Sequence, residues 1–233
     1  MRLRTAASLT VVLLVAMAFA ASAGAAVVGI YRNALDSEAQ RSQVFKLFGE
    51  RCQRGGSEEA LRIVVGKATK ECAYRTPVVG RDLEIAVTAR LLSGTPTPVA
   101  KQAFLAVNLR GGNEGAHYQL AVFPLQRKAQ LRKGLGEGKK PKFLHIEKGL
   151  TATKGLNRAI QLRLRAFNVT SGPDKGKCRI LAWVGTQLVA DFTDAAGGEL
   201  AGRFSGLSVG TAHNAKGAIA SFDDIVIRVP SPF

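Results

Sequence analysis

Residues 82–92 read DLEIAVTARLL, and apolar side chains occupy every second position from Leu83 to Leu91. Alternation with a period of two over this length predicts a β-strand with one buried face and one solvent-facing face. The stretch AIQLRLRAF at 159–167 repeats the pattern, with Ile160, Leu162 and Leu164 predicted to point inward. Both segments therefore predict strands that cover a hydrophobic core with one side only.

Most of the chain after residue 43 is also predicted to form β-strands. A third stretch, at 218–229, is predicted to place four residues on one face: Ile219, Ile225, Ile227 and Val229. Further strands are predicted at 44–48, 60–66, 102–110, 117–123, 127–132, 142–148, 178–184, 187–192 and 203–210. Glycine-rich turns separate these short strands, a pattern that predicts an all-β fold. We expect an antiparallel sandwich of two sheets across residues 43–230.

The first 25 residues predict a secretory signal peptide. Arg2 and Arg4 form a charged start, the apolar stretch LTVVLLVAMAFA follows at 9–20, and ASA or AGA within 21–25 suits a signal peptidase. A membrane anchor is the alternative, but the apolar run is shorter than the roughly 20 residues that a spanning helix needs. We predict a secreted bacterial protein with no transmembrane segment in the mature chain, and a linker with a short helical turn at 26–42.

The charge of the chain is strongly positive. It has 33 lysine and arginine residues against 17 acidic residues, a formal net charge of +16. Loss of residues 1–25 removes Arg2 and Arg4 and leaves 208 residues with a net charge of +14. Outside the cell this charge favours acidic polysaccharides, teichoic-type polymers or lipid head groups as partners rather than nucleic acid. The alternative is that it only keeps a secreted, monomeric protein soluble.

The chain has three cysteines, which allow one disulfide and one leftover thiol. Cys52 and Cys72 flank an apolar run and are close in sequence, so we predict that they pair. Cys178 is then a buried thiol at the start of a strand, although a pairing with Cys72 stays open. The three histidines are scattered and there is no C-x-x-C motif, so we predict no metal site and no cofactor.

Three segments resemble a known family. They read AFLAVNLRGGNEGAHYQLAVF at 103–123, GLNRAIQLRLRAF and ILAWVGTQLVADF within 155–192, and GRFSGLSVGTAHNAKGAIASFDDIVIRV at 202–229. These segments, in this order, resemble the concanavalin A-like lectin and glucanase jelly roll. They are most similar to the branch of laminin-G-type and 3-keto-disaccharide hydrolase-type domains. The matching residues are Arg110, Tyr118, Asn157, Gly202, Gly206, Phe222, Asp223 and Asp224. The turn at 184–186 departs from the family because its asparagine is missing.

The acidic residues do not form the pairs that glycosidases of this fold use. Asp82 and Glu84 share a face of one strand, but that face is predicted to be exposed and no third acid follows. Asp223 and Asp224 are adjacent, so their side chains diverge, and one pair supplies too few oxygens for calcium. There is no G-x-S-x-G motif. We therefore predict non-catalytic recognition of an extracellular carbohydrate or anionic cell-envelope polymer, with a 3-keto-disaccharide hydrolase as the alternative.

Sugar-binding sites place aromatic rings beside polar groups, and aromatic residues are few in this chain. Tyr118 adjoins His117 and follows a glycine-rich loop near Arg110, so we predict that Arg110, His117 and Tyr118 form a ligand-binding site. Trp183 lies in the apolar run CRILAWV and is predicted to belong to the core.

We expect the exported protein to begin at Gly24 or Ala26, because the two A-x-A sequences end immediately before these residues. Intact-mass measurement of protein recovered from culture medium checks this expectation. Recovery of the full chain from the membrane fraction alone would show an uncleaved anchor instead.

Overall fold

The computed structural model describes residues 28–49, 51–57, 60–66, 69–112, 115–136, 139–195, 200–211 and 217–229. The predicted signal peptide at 1–25 lies outside these residues. The described part contains fifteen strands. In chain order they are β1 (Val28–Asn33), β2 (Phe45–Phe48), β3 (Cys52–Ser57), β4 (Ala60–Val65), β5 (Glu71–Val79), β6 (Leu83–Leu91), β7 (Ala103–Gly111), β8 (Ala116–Phe123), β9 (Lys128–Leu135), β10 (Lys142–Lys148), β11 (Ile160–Asn168), β12 (Cys178–Val184), β13 (Gln187–Asp194), β14 (Phe204–Thr211) and β15 (Ile219–Val229).

The strands form two antiparallel sheets that face each other. The eight-stranded sheet has the order β13-β12-β11-β6-β15-β4-β3, with β1 also paired to β15. The seven-stranded sheet has the order β10-β9-β8-β7-β14-β5-β2. Two short α-helices, α1 (Glu38–Ser42) and α2 (Thr97–Ala100), lie in connections. None of the helices in the described ranges is long or apolar enough to cross a lipid bilayer. The predicted antiparallel jelly-roll sandwich is confirmed.

The core lies between the sheets and is supplied by alternate residues of each strand. Every odd-numbered residue of β6 from Leu83 to Leu91 is buried, as the period of two predicts. Ile160, Leu162 and Leu164 of β11 are buried in the same core. Burial of about 25 cal/mol per Å² of apolar surface makes this shared core the main stabilising contribution to the fold.

The last strand, β15, does not keep one phase along its length. Phe222 and Ile225 are both fully buried, although they are three residues apart. The pairing with β6 shifts between Asp223 and Val226, and Asp224 has a φ of 52°. This β-bulge adds one residue and reverses the alternation. The prediction that Ile219 shares a face with the isoleucines after the bulge is therefore wrong.

The N-terminal segment at 26–42 is more than the predicted linker and helical turn. The helical turn exists as α1, which Ser37 caps through a reciprocal pair of hydrogen bonds with Gln40. Residues 28–33, however, form the strand β1, which pairs with β15 beyond the point where β4 ends. Two further strands, β3 and β5, were also not predicted from the sequence.

One disulfide joins the two sheets. Cys52 of β3 bonds to Cys72 of β5, across a sequence separation of 20, which confirms the predicted pair. Cys178 is buried at the start of β12 and takes no part in a disulfide, as predicted.

We expect the double variant Cys52→Ala/Cys72→Ala to lose about 3 kcal/mol of unfolding free energy, because loop closure of this length constrains the unfolded chain. Urea unfolding with circular dichroism measures the loss. A reducing agent should lower the stability of the wild-type protein by a similar amount and leave the double variant unchanged. Equal stability of the two proteins without reductant would contradict the expectation.

Candidate functional site

The two faces of the seven-stranded sheet differ in chemistry. In β7, Leu105, Val107 and Leu109 point into the core between the sheets. The alternate positions face outward, where Phe104 and Ala106 form a second apolar cluster with Ala121 and Phe123 of β8. The outer face continues along the same strands through polar side chains. We call this outer surface of β5, β14, β7, β8 and β9 the amide face.

A hydrogen-bond network crosses the amide face. The Gln119 Nε2 amide donates to Glu71 Oε1 at 2.8 Å and to Ser208 Oγ at 3.2 Å. Asn108 Nδ2 donates to the same Ser208 oxygen at 3.3 Å. The members belong to β5, β14, β7 and β8, which are neighbours in the sheet. Asn108 is thus held by a partner on the adjacent strand, and Gln119 by partners that lie two and three strands away.

Arg132 of β9 extends this network and is held by aromatic rings. Its Nε donates to Gln130 Oε1 at 2.9 Å. The guanidinium carbon lies 4.8 Å from the ring centroid of Phe104, 5.1 Å from that of Phe123 and 5.7 Å from that of Phe143. Burial lowers the pKa of Arg132 to about 10, and Glu71 opposes the shift. Arg132 therefore remains a cation at neutral pH, in a fixed position.

A cleft opens at one end of the amide face. It is shallow and is lined by glycines together with a few side chains: Leu47, Tyr74, Asn108, Gly111, Gly112, Gly115, Ala116, His117, Phe204, Ser205 and Gly206. A side chain at Gly206 would overlap the backbone carbonyl oxygen of Tyr74. Glycine at this position thus lets the strands approach closely and leaves the cleft open.

Asn108 supplies the unusual polar atom of this cleft. The side chain is 7% exposed, and its Oδ1 is buried without a hydrogen-bond partner in the described part of the chain. A buried acceptor without a partner costs about 1–3 kcal/mol, so such atoms need an explanation. A donor from a molecule in the cleft would satisfy it.

Arg75 lies beside the cleft, between two aromatic rings. It is the cross-strand neighbour of Gly206, and its guanidinium carbon lies 5.0 Å from the ring centroid of Phe204 and 5.8 Å from that of Phe45. Phe45 is 48% exposed. The edge of the cleft therefore combines a cation with accessible aromatic surface.

His117 is the one predicted site residue that lines the cleft. Its Nδ1 lies 2.7 Å from the carbonyl oxygen of Gly115, and since a carbonyl only accepts, Nδ1 carries the hydrogen. In the neutral imidazole the other nitrogen, Nε2, is then an acceptor.

Arg110 lies away from the cleft, between the sheets. It occupies a β-bulge opposite β14 with a φ of 51°, which turns its side chain inward. The fully buried guanidinium donates to Asp82 Oδ1 at 2.9 Å and to Asn168 Oδ1 at 2.6 Å. It also donates to the carbonyl oxygen of Arg81. Arg110 therefore ties the seven-stranded sheet to the eight-stranded one.

Tyr118 is likewise buried between the sheets. Its hydroxyl donates to Asp194 Oδ2 at 2.6 Å and accepts from the Leu200 amide at 3.2 Å. Lys133 Nζ forms an ion pair with the same carboxylate oxygen. Burial, and then the hydrogen bond to Asp194, raise the pKa of Tyr118. The structure thus separates Arg110 and Tyr118 from the surface and from His117.

Two other sequence predictions concern the eight-stranded sheet. Trp183 is half-buried on its outer face, where the Arg163 guanidinium carbon lies 3.9 Å from the ring centroid, so its assignment to the core is wrong. Asp223 is 3.9 Å from Arg90, and Asp224 is the bulge residue. Within the described ranges, no group of three or more histidine, cysteine or acidic residues is arranged to hold a metal ion.

Comparison with solved structures supports the fold. The carbohydrate-binding module CBM66 from Bacillus subtilis is 16% identical, with a TM-score of 0.58 over 80% of this chain and 95% of that chain. The chain has the concanavalin A-like jelly-roll fold. A Bacillus subtilis protein of unknown function with a galectin-like fold is 13% identical, with a TM-score of 0.63 over 88% and 98% of the two chains.

A third jelly roll is the carbohydrate recognition domain of Emp46p, in its metal-free form. It is 13% identical, with a TM-score of 0.56 over 88% of this chain and 96% of that chain. No protein-family profile matches the sequence, and the search of curated proteins found no match.

The residues of the amide face were missed in the sequence because they lie in strands that read as apolar. Asn108 and Gln119 are isolated amides within AFLAVNLRG and AHYQLAVF. A single polar residue within such an apolar strand could have indicated them. The prediction instead named Arg110 and Tyr118, because they lie beside a glycine-rich loop in the sequence.

We expect Arg110→Met to lower the unfolding free energy by about 3 kcal/mol, because it removes charged hydrogen bonds from a buried site. His117→Ala is the matched control from the same pair of strands and should change stability by no more than about 0.5 kcal/mol. Urea unfolding of both variants checks the difference. Wild-type stability of the Arg110 variant would contradict the role as a tie between the sheets.

Proposed function

We propose that this protein recognises an extracellular carbohydrate on the amide face and in the cleft beside it. The observation that carries the proposal is the Asn108 Oδ1 atom, which is buried without a partner at the cleft. A sugar hydroxyl is a donor of suitable size for this acceptor. It would at the same time present an oxygen that accepts from a neighbouring donor.

The surroundings of Asn108 suit a sugar in two further ways. Gln119 and Ser208 are fixed by the network, so little side-chain freedom is lost on binding. Phe204 and Phe45 supply apolar surface at the cleft edge, next to the polar groups. A small number of placed polar groups beside apolar surface is the usual composition of a ligand site.

The fold relatives support this proposal. Two of the similar structures are described as a carbohydrate-binding module and a carbohydrate recognition domain. The sequence motifs also resemble the same superfamily. At these identities the likeness concerns the fold, and the amide face supplies the chemical argument for this chain.

We further propose that binding takes place outside the cell, in an anionic cell envelope. The predicted signal peptide supports export, and the Cys52–Cys72 disulfide suits an oxidising compartment. The net charge of +14 predicted for the mature chain favours an envelope rich in acidic polymers.

We expect Asn108→Ala to weaken binding of a neutral oligosaccharide about tenfold, the effect of losing one hydrogen-bond acceptor. A glycan array selects the oligosaccharide that binds the wild-type protein most strongly, and calorimetry measures its dissociation constant for each variant. The control, Gln161→Ala, removes an exposed amide from the outer face of the other sheet and should leave that constant unchanged.

Three outcomes would contradict the proposal. They are a wild-type protein that binds no carbohydrate on the array, equal dissociation constants for the two variants, and release of monosaccharide from 3-keto-disaccharides. The last outcome would favour the hydrolase interpretation of the sequence motifs.

A further inference from the structure

The outer face of the eight-stranded sheet carries a concentration of arginine residues. Alternation in β1, β4, β6, β11, β12 and β15 places seven of them on this face: Arg32, Arg62, Arg90, Arg163, Arg165, Arg179 and Arg228. The described residues of these strands and of β13 contribute four carboxylates to it: Glu84, Asp191, Asp223 and the exposed Asp224 at the bulge. We call this surface the arginine face. Seven arginines against four carboxylates leave it an excess of three positive charges.

Three of these carboxylates are paired with arginines of the same face: Glu84 with Arg228, Asp191 with Arg179 and Asp223 with Arg90. Arg228 Nη1 lies 3.0 Å from Glu84 Oε1, and Arg179 makes two contacts with Asp191, at 2.9 and 2.6 Å. Arg228 and Glu84 are direct cross-strand partners, and Arg179 and Asp191 are diagonal neighbours on adjacent strands. They order the surface, and they leave its excess positive charge to act on molecules in solution.

Two arginines of β11 lie against aromatic rings, and of the two Arg163 is partly exposed whereas Arg165 is only 8% exposed. The Arg163 guanidinium carbon lies 3.9 Å from the ring centroid of Trp183, and that of Arg165 lies 4.8 Å from the ring centroid of Phe167. A guanidinium stacked by its plane keeps its N–H edges directed sideways, toward a carboxylate. Stacking therefore restricts these long side chains before any partner arrives, which lowers the entropic cost of binding.

The electrostatic environment agrees with this geometry. Burial lowers the pKa of Arg165, Glu84 opposes the shift, and the positive charges of Arg163 and Arg179 lower the pKa further. The cations of this surface thus repel one another. An anionic partner that bridges them would relieve that repulsion.

The spacing of the arginines fits a linear polymer better than a single ion. Arg163 and Arg165 are two residues apart on one strand, about 7 Å along the sheet. Arg62 and Arg32 extend the positive charge to the strands β4 and β1. Leu188, which is 48% exposed, is the cross-strand partner of Trp183 and adds apolar surface for the C–H face of a sugar ring.

We propose that the arginine face binds an acidic polysaccharide, one whose sugars carry carboxylates. This site lies on the opposite sheet from the amide face and does not depend on the carbohydrate proposed for that face. Paired N–H donors of arginine match the two oxygens of a carboxylate. The apolar surface at Trp183 and Leu188 favours a polymer built from sugar rings over one built from phosphates.

The test uses polygalacturonate and its methyl-esterified form, which share one backbone and differ in charge. The mature wild-type protein should bind polygalacturonate at low salt, bind the ester much more weakly, and lose affinity as sodium chloride shortens the range of the interaction. Arg163→Gln should weaken polygalacturonate binding about tenfold, the effect of losing charged hydrogen bonds.

Matched controls separate this site from net charge and from the amide face. Lys142→Gln removes one exposed positive charge from the edge of the other sheet and should leave the affinity for polygalacturonate within about twofold of wild type. Asn108→Ala should retain full polygalacturonate binding. Thermal unfolding monitors the fold of each variant, and Arg32→Gln, at an exposed position of the same face, gives a second measurement if Arg163→Gln does not fold.

The proposal is overturned if Arg163→Gln and Lys142→Gln weaken binding equally, or if the methyl ester binds as well as the acid. It is also overturned if vesicles with anionic phospholipid, or a phosphate polymer, bind more tightly than polygalacturonate. Loss of neutral oligosaccharide binding in Asn108→Ala with intact polygalacturonate binding would support both sites. The reverse pattern of losses would contradict both assignments.

Discussion

Polar side chains cross the interior between the two sheets, and the rest of the structure depends on how they are satisfied. Arg110 of β7 reaches Asp82 and Asn168 at the eight-stranded sheet. Tyr118 of β8 reaches Asp194 of β13, which also holds the ammonium group of Lys133. Removing such charges from water costs several kcal/mol per ion. The hydrogen bonds that offset this cost are directional, so they constrain which strands of the two sheets lie opposite each other, where apolar packing alone would allow sliding.

These ties explain why the motif residues and the residues of the two proposed binding faces are different sets in this chain. Arg110 and Tyr118 match the superfamily pattern and are among the largest fully buried side chains. Their polar groups form hydrogen bonds inside the sandwich. Arg110 donates to Asp82 and Asn168, and the Tyr118 hydroxyl donates to Asp194. The surfaces left for ligands are the outer faces, whose residues carry no constraint from the ties.

The sequence predicts strands such as β6 and β11 because a period of two is a local property of their residues. The prediction fails for a strand whose residues do not alternate and which forms by pairing with its neighbours. Residues 71–79 read ECAYRTPVV and show no simple alternation, yet β5 forms because β2 and β14 pair with it on both sides. The bulge in β15 could not be predicted from the sequence either, because it is defined by the register of β15 against β6. The amide face depends on cross-strand neighbours such as Asn108 and Gln119, which no single strand reveals.

The two outer faces use arginine in opposite ways, and this difference argues for two kinds of ligand. On the amide face, Arg132 is packed among three phenylalanine rings and gives hydrogen bonds to the side-chain oxygens of Gln130 and Gln119. The positive charge of Arg132 thus orients the amides of Gln130 and Gln119, and these amides are uncharged hydrogen-bonding groups. On the arginine face, Arg163 is stacked on Trp183, and stacking leaves the N–H groups of a guanidinium outside the contact. One sandwich thus carries a surface suited to hydroxyls and a surface suited to carboxylates, facing away from each other. A protein that engages both at once would hold two polymer segments with the combined strength of linked sites, without either site being tight alone.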